Sequence, residues 1–508
     1  MATNLVFNKG QGGLGRPLAG TDHISGLLFY TGATLPTGFS SSSRVKKIFS
    51  LEEAEDLGIT NTSLGETKST ATFLVTNKGA VGDTHTLTVT SASGETLTLC
   101  SYTQVTADVS STSTAADRLA AEINLLTYVH GFTASVNTAT VTITAAAGEG
   151  IYLNSGTPYV STISGTLAGT LTQNVVTGVA SDIDIFHYHI SEFFRMQPKG
   201  VLYVGLYATA DVGTFSNVTD IQNYAQGEIK QLGVYYKSTA FSTGHCTTLQ
   251  SIYSSLYTNN KPCEIILNAE ISGTANVSGL GTLRGLTARN VSVCIGQDGS
   301  AKGLKLFNAT GKSIGMLGTL LGAVAFSKVH ESISWRGKFN IDSGTEFNTL
   351  AFANGQKYTA ISDSLLSTLD TYGYIYGEKE QDVDGSFFND SHTAVIQSDD
   401  YCYIEANRTI NKSVRKMRFY LIPALGGSVY LNTDGTLRED SLAYYEQLCQ
   451  RGLDEMKSDG ELSDAKASID PTQDILSSSN LEITVQELPV GVSRTITVNL
   501  GYVTKITN

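Results

Sequence analysis

Two different rhythms of apolar and polar positions divide the chain. In residues 68–178, threonine alternates with apolar residues. A period of two predicts strands that turn one face to a core and the other to solvent. The clearest of these predicted strands are residues 86–90 (TLTVT), 96–99 (TLTL) and 140–144 (TVTIT). One amphipathic helix, near residues 114–129, is predicted among them.

Residues 179–395 have a second rhythm, in which short apolar runs precede helical patterns. Predicted strands are residues 201–207, 233–236, 263–267 and 291–295. Predicted helices are residues 218–229, 247–257 and 313–328. Strands that alternate with helices indicate βαβ units and a largely parallel sheet.

Residues 396–508 mix strands with one long helix. Predicted strands are residues 401–405, 418–422, 481–485 and 495–500, and the helix is residues 438–458. That helix is amphipathic, so one face is expected to pack inward. This part of the chain is therefore predicted to be an α+β domain.

The length of 508 residues exceeds what one core supports and suggests three or four domains. The predicted fold class is mixed α/β and α+β, multidomain. An N-terminal arm and the start of the core domain occupy residues 1–67, and an inserted β-rich domain occupies 68–178. The βαβ-rich core domain continues over 179–395, and a C-terminal α+β domain covers 396–508.

Composition and charge restrict the possible partners. The net charge of -13 argues against a protein that coats nucleic acid, which needs a basic face. No apolar run approaches the roughly 20 residues of a membrane span, and the first residues do not resemble a signal peptide. The six cysteines are far apart and are expected to be buried free thiols.

Candidate catalytic patterns fail on their context. Residues 10–15 match G-x-G-x-x-G, but an extended loop is predicted where a nucleotide site needs a helix. His187 and His189 are expected on one side of a strand, without a third metal ligand at a recognisable spacing. His245 and Cys246 are adjacent, so they do not normally meet as base and nucleophile. No enzyme activity, cofactor or metal is expected.

One basic run in the C-terminal domain has several interpretations. It contains no acid and consists of Arg408, Lys412, Arg415, Lys416 and Arg418. It forms either a solvated face or a patch that meets an acidic protein surface. The chain itself supplies such a surface, because residues 438–470 contain nine acids and four bases. Candidate contact residues on the outward face of the long helix are Glu446, Arg451, Asp454 and Glu455.

Both ends of the chain have strand patterns suited to edge pairing. The apolar N-terminal residues are Leu5, Val6 and Phe7. The C-terminal alternation comprises Thr495, Ile496, Thr497, Val498 and Leu500. Short terminal strands either pair within their own domain or add to the sheet of a neighbouring subunit.

The ordered series of segments resembles contractile tail sheath proteins of bacteriophages and related injection machines. The resemblance rests on residues 401–425 (YCYIEANRTINKSVRKMRFYLIPAL), 481–503 (LEITVQELPVGVSRTITVNLGYV), 315–335 (GMLGTLLGAVAFSKVHESISW) and 12–30 (GGLGRPLAGTDHISGLLFY). In that family, a strand with an Arg-Thr pair, matched here by Arg408 and Thr409, leads to a helix and two closing strands. Residues 68–178 resemble outward-facing insertions of tail proteins.

The resemblance implies a structural subunit that stacks in rings around an inner tube. The C-terminal domain would lie nearest the tube, and arms donated by neighbours would complete its sheet. Expected partners are further copies of the chain, the inner tail tube protein, and baseplate and tail terminator proteins. No nucleic acid or membrane insertion is implied. Synthesis in the bacterial host cytoplasm and incorporation into a phage tail are expected.

Three other classes share parts of these patterns. A tail tube or baseplate protein would be similarly acidic and β-rich, but should be shorter and lack the βαβ region. An adhesin would use the threonine-rich module and should contain repeats or clustered carboxylates. A hydrolase with a Rossmann-like core and a lost motif is the alternative from a different class.

Overall fold

The structure is a computed structural model that describes residues 20–31, 34–209 and 212–502. The chain forms two compact units. The first comprises residues 1–326 and 333–404, and the second, called the C-terminal unit, comprises residues 327–332 and 405–508. Each unit has a mixture of helices and strands, so the protein has a mixed α/β, multidomain fold.

The helices follow one another along the described chain. They are α1 Leu51–Asp56, α2 Thr112–Leu125, α3 Thr127–His130, α4 Asp182–Met196, α5 Asn217–Tyr224, α6 Thr243–Thr258, α7 Lys302–Thr310, α8 Leu317–Phe326, α9 Asp363–Tyr372, α10 Ile404–Leu421, α11 Glu439–Ser458 and α12 Ile475–Ser478.

The strands belong to several separate sheets. They are β1 Ile24–Thr31, β2 Val45–Ile48, β3 Thr70–Lys78, β4 Thr84–Thr90, β5 Thr96–Thr103, β6 Thr133–Asn137, β7 Thr140–Thr144, β8 Tyr159–Ile163, β9 Leu167–Val176, β10 Val201–Ala208, β11 Gln231–Tyr236, β12 Glu264–Asn268, β13 Thr287–Ala288, β14 Val291–Cys294, β15 Gly296–Asp298, β16 Leu350–Phe352, β17 Tyr374–Ile375, β18 Gly377–Glu378, β19 Phe387–Phe388, β20 Ala394–Val395, β21 Leu462–Ser468 and β22 Thr484–Pro489.

A seven-stranded sheet in the order β17-β14-β12-β11-β1-β10-β2 organises the first unit. Its strands pair in parallel, except that β2 runs antiparallel to β10 at one edge. Helices α5, α6 and α9 pack on one face, and α4 and α8 pack on the other. Two apolar cores therefore enclose the sheet, as expected for strands that are buried on both faces.

Two glycines allow helix α8 to lie directly on helix α4. A Cβ added at Gly318 would lie 2.2 Å from the carbonyl oxygen of His189, and one at Gly322 would lie 2.8 Å from that of Phe193. No side chain fits at such distances, so the helices approach backbone to backbone. This contact explains the small residues of the segment 315–335.

Residues 68–178 form a module with a core of its own. Two sheets, in the orders β6-β7-β3-β9 and β5-β4-β8, pack with α2 around buried apolar side chains. The module leaves and rejoins the core at one point, because Thr67 and Val179 exchange backbone hydrogen bonds of 3.0 and 2.8 Å. A second attachment joins Ile151 N to the carbonyl of Ala309 at 2.8 Å.

The C-terminal unit combines the long helices α10 and α11 with the two-stranded antiparallel sheet of β21 and β22. Leu453 and Met456 of α11 form a small buried core with Leu462 of β21. Met417 of α10 and Val485 of β22 pack against it. One apolar cluster thus joins both helices to the sheet.

Several strand predictions were wrong for this unit. Residues 401–405 and 418–422 are not strands, because they fall within or next to the helix Ile404–Leu421. Over the described residues up to 502, the predicted closing strand 481–485 overlaps β22, which pairs with β21 rather than with a second closing strand. In the first unit, His187 and His189 lie on helix α4 rather than on a strand.

Candidate assembly interface

Helices α10 and α11 of the C-terminal unit meet at a glycine. A Cβ at Gly452 would lie 2.9 Å from the carbonyl carbon of Lys416 and 3.0 Å from the nitrogen of Met417. The two helix backbones therefore touch at this point. This close approach places basic side chains of α10 beside acidic side chains of α11 and of the residues just after α11.

Two lysines of the basic run form ion pairs within this unit. Lys412 Nζ lies 2.6 Å from Glu461, and both side chains are largely buried. Lys416 Nζ lies 2.5 Å from Glu455 in a more exposed pair. Tyr420 also donates to Glu455, and together Lys416 and Tyr420 lower the pKa of this carboxyl. Both lysines therefore pair with carboxylates of the same chain.

Other candidate contact residues of α11 serve the unit itself. Glu446 accepts a hydrogen bond from Ile469 N at 2.8 Å. Asp454 accepts one from Gln450 at 2.9 Å, and the guanidinium of Arg451 lies 5.9 Å from the ring centre of Tyr420. Arg451 and Asp454 are nevertheless exposed, so they remain available to a neighbouring molecule.

Arg408 is not an exposed charge. Its side chain is buried and its guanidinium donates to Ser327 Oγ at 2.7 Å and to the carbonyl of Lys328 at 3.3 Å. In this conformation Arg408 is therefore not part of an exposed basic patch. Its positive charge instead fastens the segment 327–332 to α10 within the C-terminal unit.

The end of α10 carries the more exposed part of the basic run. Arg415 is half-buried and Arg418 is exposed. Phe419, Ile422 and Leu425 follow with 70%, 49% and 87% of their surfaces exposed. The exposed surface at this end is therefore mixed, with apolar side chains beside a single arginine.

The segment 490–502, called the arm, follows β22 without helix or strand. Ile496, Val498 and Leu500 alternate with polar residues and are 80%, 69% and 92% exposed. Among the residues that the structure describes, none pairs with the arm in a ladder. The predicted strand at 495–500 is thus absent from the isolated chain, although its period-two pattern is intact.

An ion pair anchors the start of the arm. The guanidinium of Arg494 donates to Glu405 at the beginning of α10, and the Glu405 side chain is 8% exposed. The N-terminal candidates Leu5, Val6 and Phe7 lie outside the described residues.

The free edges of the C-terminal sheet differ. Side chains of α11 cover the outer edge of β21, because Gln450 accepts from Ala467 N at 3.0 Å and donates to the carbonyl of Ala465 at 3.0 Å. The backbone groups of Ala465 and Ala467 that bind Gln450 point away from β22. In an antiparallel pair, directly opposed residues point their backbone groups either both inward or both outward. The backbone groups of their opposed residues, Glu487 and Val485, therefore point away from β21. Within the described chain, β22 pairs only with β21.

Sequence reasoning missed the partners that hold this unit together. Glu405, Glu461 and Gly452 were not singled out, although the excess of acids over residues 438–470 predicted that carboxylates would meet the basic run. Nothing in the sequence signals Gly452, because its role depends on how closely two helices pack.

The surroundings of the residues considered for catalytic or metal chemistry are as follows. All six cysteines are free and buried, as predicted, and burial raises the pKa of the Cys246 thiol to about 12. Neighbouring His245 faces the hydroxyl of Tyr236 at 3.0 Å. Over the described ranges, no three His, Cys, Asp or Glu residues are grouped to hold a metal ion. No described helix combines the length and apolar character needed to cross a membrane.

Several solved structures similar to this chain are sheath structures. The anti-feeding prophage helical sheath in the contracted state is 14% identical, with a TM-score of 0.41, over 63% of this chain and 81% of that one. The contracted PVC sheath of an extracellular contractile injection system is 12% identical, with a TM-score of 0.40, over 63% and 80%. A sheath tail protein from Listeria innocua is 10% identical, with a TM-score of 0.38, over 93% and 96%.

Family models cover nearly the whole chain. No curated protein sequence matches it. The N-terminal domain of DUF2586 matches residues 5–392, and the C-terminal domain of DUF2586 matches residues 400–507. With both domains matched in order, the chain belongs to the DUF2586 family.

Proposed function

We propose that this protein is a structural subunit of a contractile tail sheath. In this proposal, copies stack as rings around an inner tube and contract to drive the tube through a target envelope. The observation that carries it is the exposed arm, whose alternating apolar residues have no ladder partner among the described residues. A strand of this kind suits a neighbouring subunit of the same polymer.

The acceptor would be the outer edge of β22. The outer edge of β21 is occupied by Gln450 and Glu446, whereas Val485 and Glu487 direct backbone groups outward. A two-stranded sheet is marginal alone and gains from a third strand. About five ladder hydrogen bonds at roughly 1 kcal/mol each would contribute about 5 kcal/mol to each link, before side-chain burial.

Contraction requires two packings of the same subunits and links that survive both. Donated strands suit the durable links, because a backbone ladder does not depend on one particular side-chain packing. Exposed charges suit contacts that break and re-form, because each pair is individually weak. Arg418, Arg451 and Asp454 are the exposed candidates for such contacts with the tube or a neighbour.

The remaining assignments follow from the same role. The partners would be other copies, the inner tail tube protein, and baseplate and tail terminator proteins. The N-terminal residues Leu5, Val6 and Phe7 would form a second donated strand. The protein would be made in the bacterial host cytoplasm, become part of the phage tail, and have no catalytic activity.

Negative-stain electron microscopy of the purified chain tests this function. We expect hollow, regularly striated tubes from the natural sequence. The triple variant I496S/V498S/L500S should remain soluble and form no tubes. The matched variant T495S/T497S/N499S, which changes the other side of the arm, should still assemble.

Two outcomes would contradict the proposal. Tubes from the apolar-side variant would exclude the arm as the link between subunits. A natural chain that stays monomeric, even with the co-expressed tube protein of the same tail, would exclude a sheath role and favour another tail component.

A further inference from the structure

A buried group of acids lies in the first unit. Asp298 ends β15, Glu192 lies on α4, and Glu346 belongs to a tight turn ahead of β16. Their exposed fractions are 0%, 4% and 7%. Three carboxyl groups enclosed together cannot all hold a negative charge without a large electrostatic cost.

The three acids are not equally satisfied. Asp298 accepts hydrogen bonds from Ala301 N at 2.7 Å and from Phe347 N at 3.0 Å. Glu192 pairs with Arg195 at 2.6 Å and also accepts from Thr319. Burial raises the pKa of Asp298, and these backbone hydrogen bonds oppose only part of that effect.

Glu346 is the poorly satisfied member. Its Oε1 receives one long bond from Lys302 N at 3.4 Å, and its buried Oε2 has no partner among the described residues. Burial, reinforced by the charges of Asp298 and Glu192 and only partly opposed by Lys302, raises the pKa of Glu346 to about 7. Glu346 is therefore the acid of this group whose side chain has the fewest hydrogen bonds to offset a negative charge.

The next residue holds a strained backbone. Phe347 is fully buried and has a φ of 60°, in the left-handed region that bulky side chains rarely adopt. The Phe347 amide donates to Asp298, and its carbonyl accepts from Ser386 Oγ at 2.7 Å. The guanidinium of Arg195 lies 5.8 Å from the centre of the Phe347 ring. The surrounding contacts hold the turn in a conformation that the isolated backbone would leave.

We propose that the turn 343–347 is a proton-dependent latch, closed against Asp298 while Glu346 is protonated and released when Glu346 ionises. Ionisation places a third negative charge beside Asp298 and Glu192. The charged groups that act on it are those two acids and Lys302, and the buried hydroxyl of Tyr188 lies nearby. Arg195 pairs with Glu192. Release would relieve both the repulsion and the strain at Phe347. This device goes beyond the proposed assembly role and does not depend on it.

The direction of the pH dependence follows from the raised pKa. The closed turn binds a proton that the open turn, with an ordinary glutamate pKa of 4.5, gives up more easily. The advantage of the closed turn is complete below pH 4.5 and is lost as pH rises through about 7. Between pH 5 and pH 8, the open-to-closed ratio should rise roughly 70-fold.

Hydrogen exchange of the full chain, followed by mass spectrometry and corrected for intrinsic exchange rates, measures that ratio. Protection of residues 343–347 should fall roughly 70-fold between pH 5 and pH 8. In E346Q, which cannot ionise, protection should be the same at both pH values. E95Q, at an exposed acid of the inserted module, should behave like the natural sequence.

Helix α11 supplies an internal reference within each sample. If protection of 343–347 stays constant with pH in the natural chain, or falls only in parallel with that of α11, the latch is excluded. An equal fall in E346Q and in the natural chain would exclude Glu346 as the titrating group. If E346Q fails to fold, the comparison of 343–347 with α11 in the natural chain still decides.

Discussion

Gly452 of α11 lies so close to Lys416 of α10 that a methyl group at this glycine would sit 2.9 Å from the lysine's carbonyl carbon. The contact is between backbones, which cannot move aside as a flexible side chain would. It fixes the separation of the two helices and thereby the distances between the charged side chains of α10 and those of α11.

The variant G452A should destabilise the C-terminal unit by about 1 to 2 kcal/mol. Overpacking costs about 1 to 3 kcal/mol, and the better helix propensity of alanine returns up to about 1 kcal/mol. Urea unfolding measures the change. Q447A, an exposed position of the same helix, is the control and should be nearly neutral; equal stability of the two variants would mean that the helices separate at little cost.

Reversing the charge of Lys416 should weaken the C-terminal unit through its own carboxylate. K416E faces Glu455, so a loss of about 1 kcal/mol is expected for this half-exposed pair. The swap K416E/E455K should recover most of that stability. Unfolding curves of both variants measure the role of Lys416 within the unit, and electron microscopy measures its role in assembly. A swap variant that is stable but does not assemble would mean that Lys416 also contacts a neighbour.

Proline at Val485 should block polymerisation without unfolding the subunit. Because the Val485 N–H points away from β21, its removal breaks no ladder bond of the subunit, but a proline edge does not accept a further strand. Microscopy and circular dichroism measure the two effects. The control Q486P removes an inward N–H and should destabilise the sheet; normal tubes from V485P would contradict the assignment of this edge.

Removing the inserted module should leave a folded core. Thr67 and Val179 are already hydrogen-bonded to each other, so direct joining of residues 67 and 179 spans no gap. In thermal unfolding, the residues that remain in the deletion variant should unfold at about the same temperature as they do in the natural chain. The variant loses the hydrogen bond from Ile151 to Ala309. Aggregation, or loss of tubes, would indicate that the module supports the core or the polymer.

Much of the first unit could be predicted because its strands and helices obey simple periodicity. The predicted strand 201–207 is Val201–Ala208, and the predicted helix 247–257 lies within Thr243–Thr258. Helix α4 is the exception. Its residues 185–190 are all buried, so the helix has apolar and aromatic side chains on every side rather than in one stripe. The sequence of residues 182–190 (DIDIFHYHI) also alternates between polar and apolar residues, which favours a strand prediction.

Helix α10 was missed for the opposite reason. Its buried positions include Asn407, Arg408, Asn411 and Ser413, all of which are polar. Arg408 donates to Ser327 and Ser413 donates to Glu487, both in other segments of the chain. A helix with a polar buried face has no apolar stripe to detect, and the aromatic and branched residues near 418–422 favour a strand. Similarly, the burial of Arg408 depends on Ser327, about eighty residues away in sequence.

The paired ends at Thr67 and Val179 also determine which segments the chain can carry between them. A segment that enters and leaves through one hydrogen-bonded step can be exchanged for another domain of similar end spacing, while the polypeptide beneath keeps its path. The same step is a natural graft point for a foreign domain.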